Sequence, residues 1–242
     1  LKTNFPYEFM TATLNYAIDR TDRIILLKKE LSRLNIEFKK PDINFSKADF
    51  SIEYNDNKKS IRFGLGAIKG VGIKSMANLV NEREKNGKFN DIIDFMHRLE
   101  GDVINKRQLE KLIQSGSFDS IYKNRARIFN NVPNFVEIFG GINNKNKNQS
   151  MLFEDQKISF DDSNLFIQKY HSWSEGQLLK NELEVIGFYF SNHPLSLYPK
   201  NYFYKNDIID WLDIINNKEI KSAKIVGSIL DIKERSNKEG RK

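Results

Sequence analysis

Apolar positions recur at helical spacing along most of the chain and alternate over a few short stretches. In "PYEFMTATLNYAID", residues 6–19, Phe9, Thr13, Tyr16 and Ala17 share a helical stripe, and Pro6 suits a first turn. "TDRIILLKKELSRLN" follows with Ile24, Leu27, Leu31 and Leu34 on one face and Thr21 placed to cap it. The period then shortens. In "PDINFSKADFSIEY" Phe50 and Ile52 alternate with Ser51 and Glu53, "NDNK" makes a turn, and "SIRFGLGAI" brings the chain back.

Helical period returns over residues 73–85, with Ile73, Met76, Ala77 and Val80 on one side and Asn78, Asn81, Glu82 and Lys85 on the other. Gly87 is placed to end that helix. "DIIDFMHRLE" reads as a short helix, and "NKRQLEKLIQSG" as another with Leu109, Leu112 and Ile113 inward and Gly116 closing it. "NRARIFNNVPNFVEIFG" is a third, interrupted at Pro133. Residues 140–149, "GGINNKNKNQ", are polar and read as a linker or exposed loop. Residues 174–190 are helical again, opened by "SEGQ", a capping box with Ser174 as cap and Gln177 reaching back. "AKIVGSILDIKERSNKEG" reads as a strand entering a hairpin. These elements predict a mainly α chain: a bundle-like helical region with small β elements at its flanks.

Composition narrows the partners. The 242 residues have room for one large domain or two smaller ones. The net charge is +7, and a pI near 9.3 favours polyanionic partners, nucleic acid or an anionic membrane surface. An Asn- and Lys-rich compositional bias would give the same charge. There is no cysteine, so disulfide and thiolate chemistry are excluded, and His97, His171 and His193 lie too far apart in sequence for a zinc-ligand spacing. No apolar run approaches the roughly 18–20 residues of a membrane span, and "LKTNFPYEFM" lacks the apolar core of a signal peptide. The expectation is a cytoplasmic protein without a membrane partner. Its first residue, Leu1, and its last stretch, "KERSNKEGRK", read as the ends of an internal piece.

The chemistry concentrates at Lys69-Gly70-Val71-Gly72, between apolar Leu65 and Ile68 and the helix that begins near Ile73. This order is a helix–hairpin–helix pattern. Glycines tolerate positive φ and carry no Cβ, so the backbone can approach a ligand closely. The amides at the turn and at the next helix's N-terminus lack intrahelical acceptors and, with the helix dipole behind them, form an anion site that fits a DNA phosphate. Lys69 and Lys74 flank the turn, and Ser75 lies in the first helical turn. Lys69, Gly70, Val71, Gly72, Lys74 and Ser75 are therefore the candidate DNA-binding residues, reading no bases. A glycine turn in any helical domain is the other reading of the same residues.

"IRFGLGAIKGVG", followed about thirty residues later by "INKRQLEKLIQSGSFD", resembles the bacterial DNA polymerase III α subunits, the C-family replicative polymerases. "YEFMTATLNYAIDRTDRI", "IEFKKPDINFSKADF", "NELEVIGFYFSNHPLSLY" and "KIVGSILDIKERSNKEG" extend the likeness in order along the chain, with only residues 120–172 matching loosely. The resemblance implies an organisation: residues 1–60 end the fingers region, 61–139 carry the hairpin, 140–219 hold a clamp-binding linker and following helices, and 220–242 begin an OB-fold. It implies duplex DNA, the sliding clamp and other holoenzyme subunits as partners. It places the family's palm, whose carboxylates hold two Mg²⁺ ions for nucleotidyl transfer, upstream. No catalytic residue, metal ligand or cofactor is therefore expected within this chain, and the isolated piece is expected to be inactive as a polymerase.

One short stretch gains meaning from that likeness. Gln149-Ser150-Met151-Leu152-Phe153, of the form Gln-x-x-Leu-Phe, is similar to the pentapeptide with which these polymerases grip the clamp. The glutamine amide would satisfy a polar notch while Leu152 and Phe153 fill an apolar cleft and Met151 adds adaptable contact. Re-anchoring of the chain on its own core is the alternative. Asp161 and Asp162 sit in a polar stretch and are not expected to hold a metal. His193-Pro194 is expected to fix a turn, and Trp173, Tyr189 and Tyr202 to be core or interface aromatics. The C-terminal strands could contact single-stranded DNA if the barrel were complete. A stand-alone helix–hairpin–helix DNA-binding protein and a repair enzyme using the same hairpin are the competing functional readings.

Overall fold

The computed structural model describes residues 1–55, 58–99, 104–146, 170–209, 211–217, 219 and 221–229. The chain divides into two compact units, Leu1–Phe190 and Ser191–Lys242. The first is mainly helical around a small mixed sheet, as the periodicity predicts.

Helix α1 (Pro6–Tyr16) buries Met10 and Leu14, with Ala17 just beyond its end, so the buried stripe is offset from the expected one and Tyr16 points to solvent. Helix α2 (Thr21–Arg33) buries Ile24 and Leu31, with Leu27 and Leu34 packed beside them. Thr21 is its first helical residue and not its cap, which is Arg20. Asn15 then pins the next segment: its amide nitrogen donates to Phe50 O at 3.0 Å and its oxygen accepts from Phe50 N–H at 2.8 Å.

The sheet has the order β1-β3-β2. Strand β1 (Phe38–Lys39) runs parallel to β3 (Lys58–Arg62), with Phe38 opposite Ile61, and β2 (Ser51–Asn55) runs antiparallel to β3. Cross-strand charge complements the ladder: Glu53 accepts from Lys39 at 2.7 Å and from Arg62 at 2.6 Å. Burial alone would raise the Glu53 pKa, but the hydrogen bonds and charges of Arg62 and Lys39 outweigh it and hold the carboxyl below its ordinary value. Phe38, Phe50 and Phe63 from this region meet Phe188 and Phe190 in a five-ring cluster, with Phe63 fully buried and 5.0 Å from Phe50.

Helices α3 (Ile73–Asn86), α4 (Ile92–Arg98), α5 (Lys106–Gln114), α6 (Arg125–Asn146) and α7 (Glu175–Ile186) complete the unit, α5 packing on both α6 and α7. In α3 the buried set is Met76, Leu79, Val80 and Arg83, while Ile73 is exposed. Helix α6 corrects two expectations. Pro133 does not interrupt it, and helix continues through 140–146 where a loop is expected. Ile128, Val132 and Phe135 are buried on both sides of Pro133, which itself faces solvent, so the packed stripe carries the helix across the missing N–H. In α7, Ser174 caps Gln177 N–H at 3.3 Å, but the Gln177 side chain turns to Asn181 at 3.0 Å, so only half of the expected box forms. Trp173 packs 5.3 Å from Phe129 and Tyr189 is half-buried, as expected of core aromatics.

The second unit holds a 3-10 turn (Pro194–Leu197), α8 (Lys200–Lys205) and α9 (Trp211–Asn216). His193 Nδ1 accepts from Leu195 N–H at 3.2 Å, so this histidine does fix a turn. Tyr202 is exposed and lies against Tyr198 and Phe203. Residues 221–229 make one parallel bridge, Lys224 with Ile208, and no longer strand. The remainder of the expected hairpin, residues 230–242, lies outside the described residues.

Candidate nucleic-acid interface

The hairpin is built by an apolar plug. A 3-10 turn (Leu65–Ala67) is buried, Ile68 follows it inward, and Val71 is fully buried two residues before the helix. Between them Lys69 and Gly70 bulge outward. Val71 N–H donates back to Ile68 O at 3.4 Å, closing a turn whose third residue, Gly70, has φ +85°. Gly72, with φ +75°, caps α3 without a side chain, and Met76 N–H makes the first helical bond to Gly72 O at 3.3 Å. A Cβ at Gly70 or Gly72 would meet no atom within 4 Å. The outer side of this corner is open.

Donors dominate that side. Among the described residues the amides of Gly70, Gly72, Ile73, Lys74 and Ser75 have no backbone acceptor. Gly70, Gly72, Ile73 and Lys74 are exposed and Ser75 is half-buried. The first turn of α3 carries no acidic residue. Val71 faces the core, and its amide is spent inside the turn. Lys69 sits differently from Lys74. Its N–H donates to Val185 O at 2.9 Å, and its Nζ rests beside Gly187, 3.2 Å from where a Cβ there would stand. Its charge therefore lies at the C-terminal end of α7, where a helix dipole favours a cation, while the side chain remains exposed.

The start of α5 joins the corner. Asn105 and Gln108 form a complete capping box, with Gln108 N–H to Asn105 Oδ1 at 3.0 Å and Asn105 N–H to Gln108 Oε1 at 2.9 Å. The same Gln108 side chain donates through Nε2 to Val71 O at 2.5 Å and to Ser75 Oγ at 3.1 Å. Lys106 and Arg107, in the first turn of this helix, are exposed. The sequence signal for this brace is Asn105-x-x-Gln108, a capping-box pattern, although nothing in it shows which neighbour the glutamine reaches.

The far end of α3 is held rigidly. Arg83 is buried, and its Nη1 donates to Ile43 O at 2.7 Å and to Ser46 O at 2.8 Å. Burial lowers its pKa against the opposing charges of Glu84 and Asp42. Arg98 donates to both Glu82 carboxylate oxygens, at 3.0 and 2.8 Å, and to Gly87 O at 2.7 Å, closing the C-terminal turn of α3. The hairpin thus stands on a fixed helix. Gln149, Ser150, Met151, Leu152 and Phe153, with Asp161 and Asp162, lie outside the described residues.

The helix-hairpin-helix motif family matches residues 35–128, which include the sheet, the hairpin and α3 to α5. Among curated proteins, the chain is 35% identical to the DNA polymerase III subunit alpha of Buchnera aphidicola from Schizaphis graminum over 98% of its own length and 20% of the relative's. It is 35% identical to the Campylobacter jejuni protein of the same name, covering 96% of this chain and 19% of that one. For Borreliella burgdorferi the identity is 38% over 83% and 17%. Over most of its length the chain matches one segment of the DNA polymerase III α subunits. It spans about a fifth of the length of these relatives. Within that segment, no helix among the described residues is long and apolar enough to cross a membrane. Among the described residues there is no group of three or more His, Asp or Glu side chains that could hold a metal ion.

Proposed function

We propose that this chain is a DNA-contacting segment of a replicative polymerase α subunit. The parent enzyme performs template-directed DNA synthesis. The segment adds grip on duplex DNA through the hairpin, and on a sliding clamp through Gln149–Phe153. Other holoenzyme subunits complete the assembly. No step of nucleotidyl transfer is assigned to its residues, and the 242-residue chain is expected not to extend a primer.

The observation that carries this reading is the corner at residues 70–75: outward amides without backbone acceptors, bordered by exposed Lys69, Lys74, Lys106 and Arg107. A phosphate seated there meets donors and positive charge from two helices. Because peptide amides bind every phosphate alike, the binding is blind to sequence. The test is duplex binding against salt concentration. Lys69→Ala with Lys74→Ala should lower affinity and flatten the log–log salt slope by up to about 0.9 for each phosphate that is no longer neutralised. An unchanged slope would overturn the reading. For the clamp, Leu152→Ala with Phe153→Ala should abolish binding to a sliding clamp, and undiminished binding would remove that assignment.

A further inference from the structure

We infer that Gln108 is a positioning residue for the hairpin: it holds the Val71–Gly72 peptide in the orientation that turns donors, and no acceptor, toward the phosphate. This rests on the duplex-binding reading above.

Val71 C=O and Gly72 N–H belong to the same trans peptide unit and point in opposite directions. Val71 is fully buried, and its carbonyl accepts from Gln108 Nε2 at 2.5 Å. Fixing that oxygen inward fixes the Gly72 N–H outward. Glycine at 72 makes the anchor necessary, because a residue without Cβ resists rotation of this peptide least. A flipped plane would place a carbonyl oxygen where the phosphate must sit.

A second hydrogen bond sets the polarity of Ser75. Its Oγ accepts from Gln108 Nε2 at 3.1 Å, and among the described residues no acceptor takes its hydroxyl hydrogen. That hydrogen is left to donate outward. The carboxamide cannot be read in the reverse sense, because its oxygen is committed to Asn105 N–H at 2.9 Å. One side chain therefore caps α5 with its oxygen and sets two groups of the hairpin with its nitrogen.

The decisive variant is Gln108→Glu. A carboxylate still accepts from Asn105 N–H, so the capping box survives, but it cannot donate to Val71 O or Ser75 Oγ. Urea unfolding of the full chain should show a lowered midpoint, because the buried Val71 oxygen loses its donor and faces a carboxylate, so affinity is compared at urea-free conditions where both chains are folded. Duplex affinity, read by anisotropy with a blunt labelled duplex, should fall roughly tenfold, as expected when a donor array loses its orientation. The added charge would also weaken binding, so a cycle with Ser75→Ala separates the two causes. In the parent chain Ser75→Ala should cost about fivefold, the worth of one hydrogen bond. In the Gln108→Glu background it should cost nothing, because the hydroxyl already points inward to the carboxylate. Independent, multiplying effects would overturn the inference. If the glutamate variant does not fold, Gln108→Met keeps the side-chain length and loses both donations without adding charge: in a Ser75→Ala background it should still lower duplex affinity through the Val71 anchor alone, and unchanged affinity there would overturn the inference. Failure of the duplex-binding reading looks different: there the Lys69 and Lys74 substitutions leave both affinity and salt slope unmoved.

Discussion

Arg125 grips Asp119 with two parallel hydrogen bonds, Nε to Oδ1 at 2.7 Å and Nη2 to Oδ2 at 2.6 Å. Lys40 also donates to Asp119 Oδ2, at 2.8 Å, and Arg125 Nη1 lies 3.7 Å from the buried Glu182 of α7. The network ties the turn after α5 to α6 and α7. Burial pushes the Asp119 carboxyl up, but the Arg125 bonds and charge, then Lys40, outweigh it and hold the pKa below the ordinary aspartate value. A depressed folded-state pKa means stability that is present above the unfolded value, near 3.9, and lost as pH falls through the folded one. Stability of the wild-type chain should therefore decline below about pH 4. Asp119→Asn should cost about 3 kcal/mol at neutral pH, the low end for breaking a buried pair, since Glu182 still faces the arginine. It should also flatten the acid limb of the urea midpoint against pH. Superimposable acid limbs would show that Asp119 is not the group responsible.

The glycines at 70 and 72 separate backbone strain from ligand approach. Both have positive φ with open space at the Cβ position, and so does Gly87 at the far end of α3. Alanine at any of the three should cost roughly 1–2 kcal/mol for a left-handed backbone. Only at 70 and 72 would the new methyl group stand between the amides and a phosphate. Gly70→Ala and Gly72→Ala should weaken duplex binding beyond their effect on stability, whereas Gly87→Ala should destabilise equally and leave affinity unchanged. Equal loss of affinity in all three would mean that the hairpin responds to general destabilisation.

Local chemistry is legible in the sequence, and long-range chemistry is not. Gly70 and Gly72 announce positive φ by themselves, Gly87 and Gly116 end their helices as expected, and Leu109, Leu112 and Ile113 are buried as their spacing predicts. The phase of α1 escapes the pattern because Phe9, Tyr16 and Met10 are all apolar enough to form a stripe, and burial of Met10 and Leu14 is decided by what α1 packs on. Pro133 misleads for the same reason: a local breaker is overruled by Ile128, Val132 and Phe135 in the core. At the site, the exposed amides follow from the Gly-x-Gly spacing. The seat of Lys69 does not, because it depends on Val185 and Gly187, over a hundred residues further along. Gln108 is recognisable as a potential cap, but its reach to Val71 depends on how two helices pack.

The ring cluster makes the sheet depend on a segment distant in sequence. Phe63 is fully buried and meets Phe38, Phe50, Phe188 and Phe190 within 6.1 Å between centroids. Phe63→Ala should cost about 3–5 kcal/mol, the range for emptying an aromatic site in a core. Phe63→Leu, which keeps most of the volume, should cost markedly less. Equal losses would mean that specific ring geometry, and not filled space, holds the cluster.

Pro133 offers a substitution that should strengthen the fold. It sits inside α6 with its ring toward solvent, and it cannot donate the hydrogen bond that Phe129 O would otherwise accept. The buried residues on either side already hold the helix through this gap, so restoring the donor requires no rearrangement. Pro133→Ala removes an interior helix penalty of as much as about 3 kcal/mol but returns freedom to the unfolded chain, leaving a net gain of roughly 1–2 kcal/mol. Urea unfolding should show a higher midpoint at an unchanged slope. Duplex affinity should stay the same, because α6 contributes no residue to the hairpin corner. A lowered midpoint would mean that the proline sets a bend on which the packing of Ile128, Val132 and Phe135 depends.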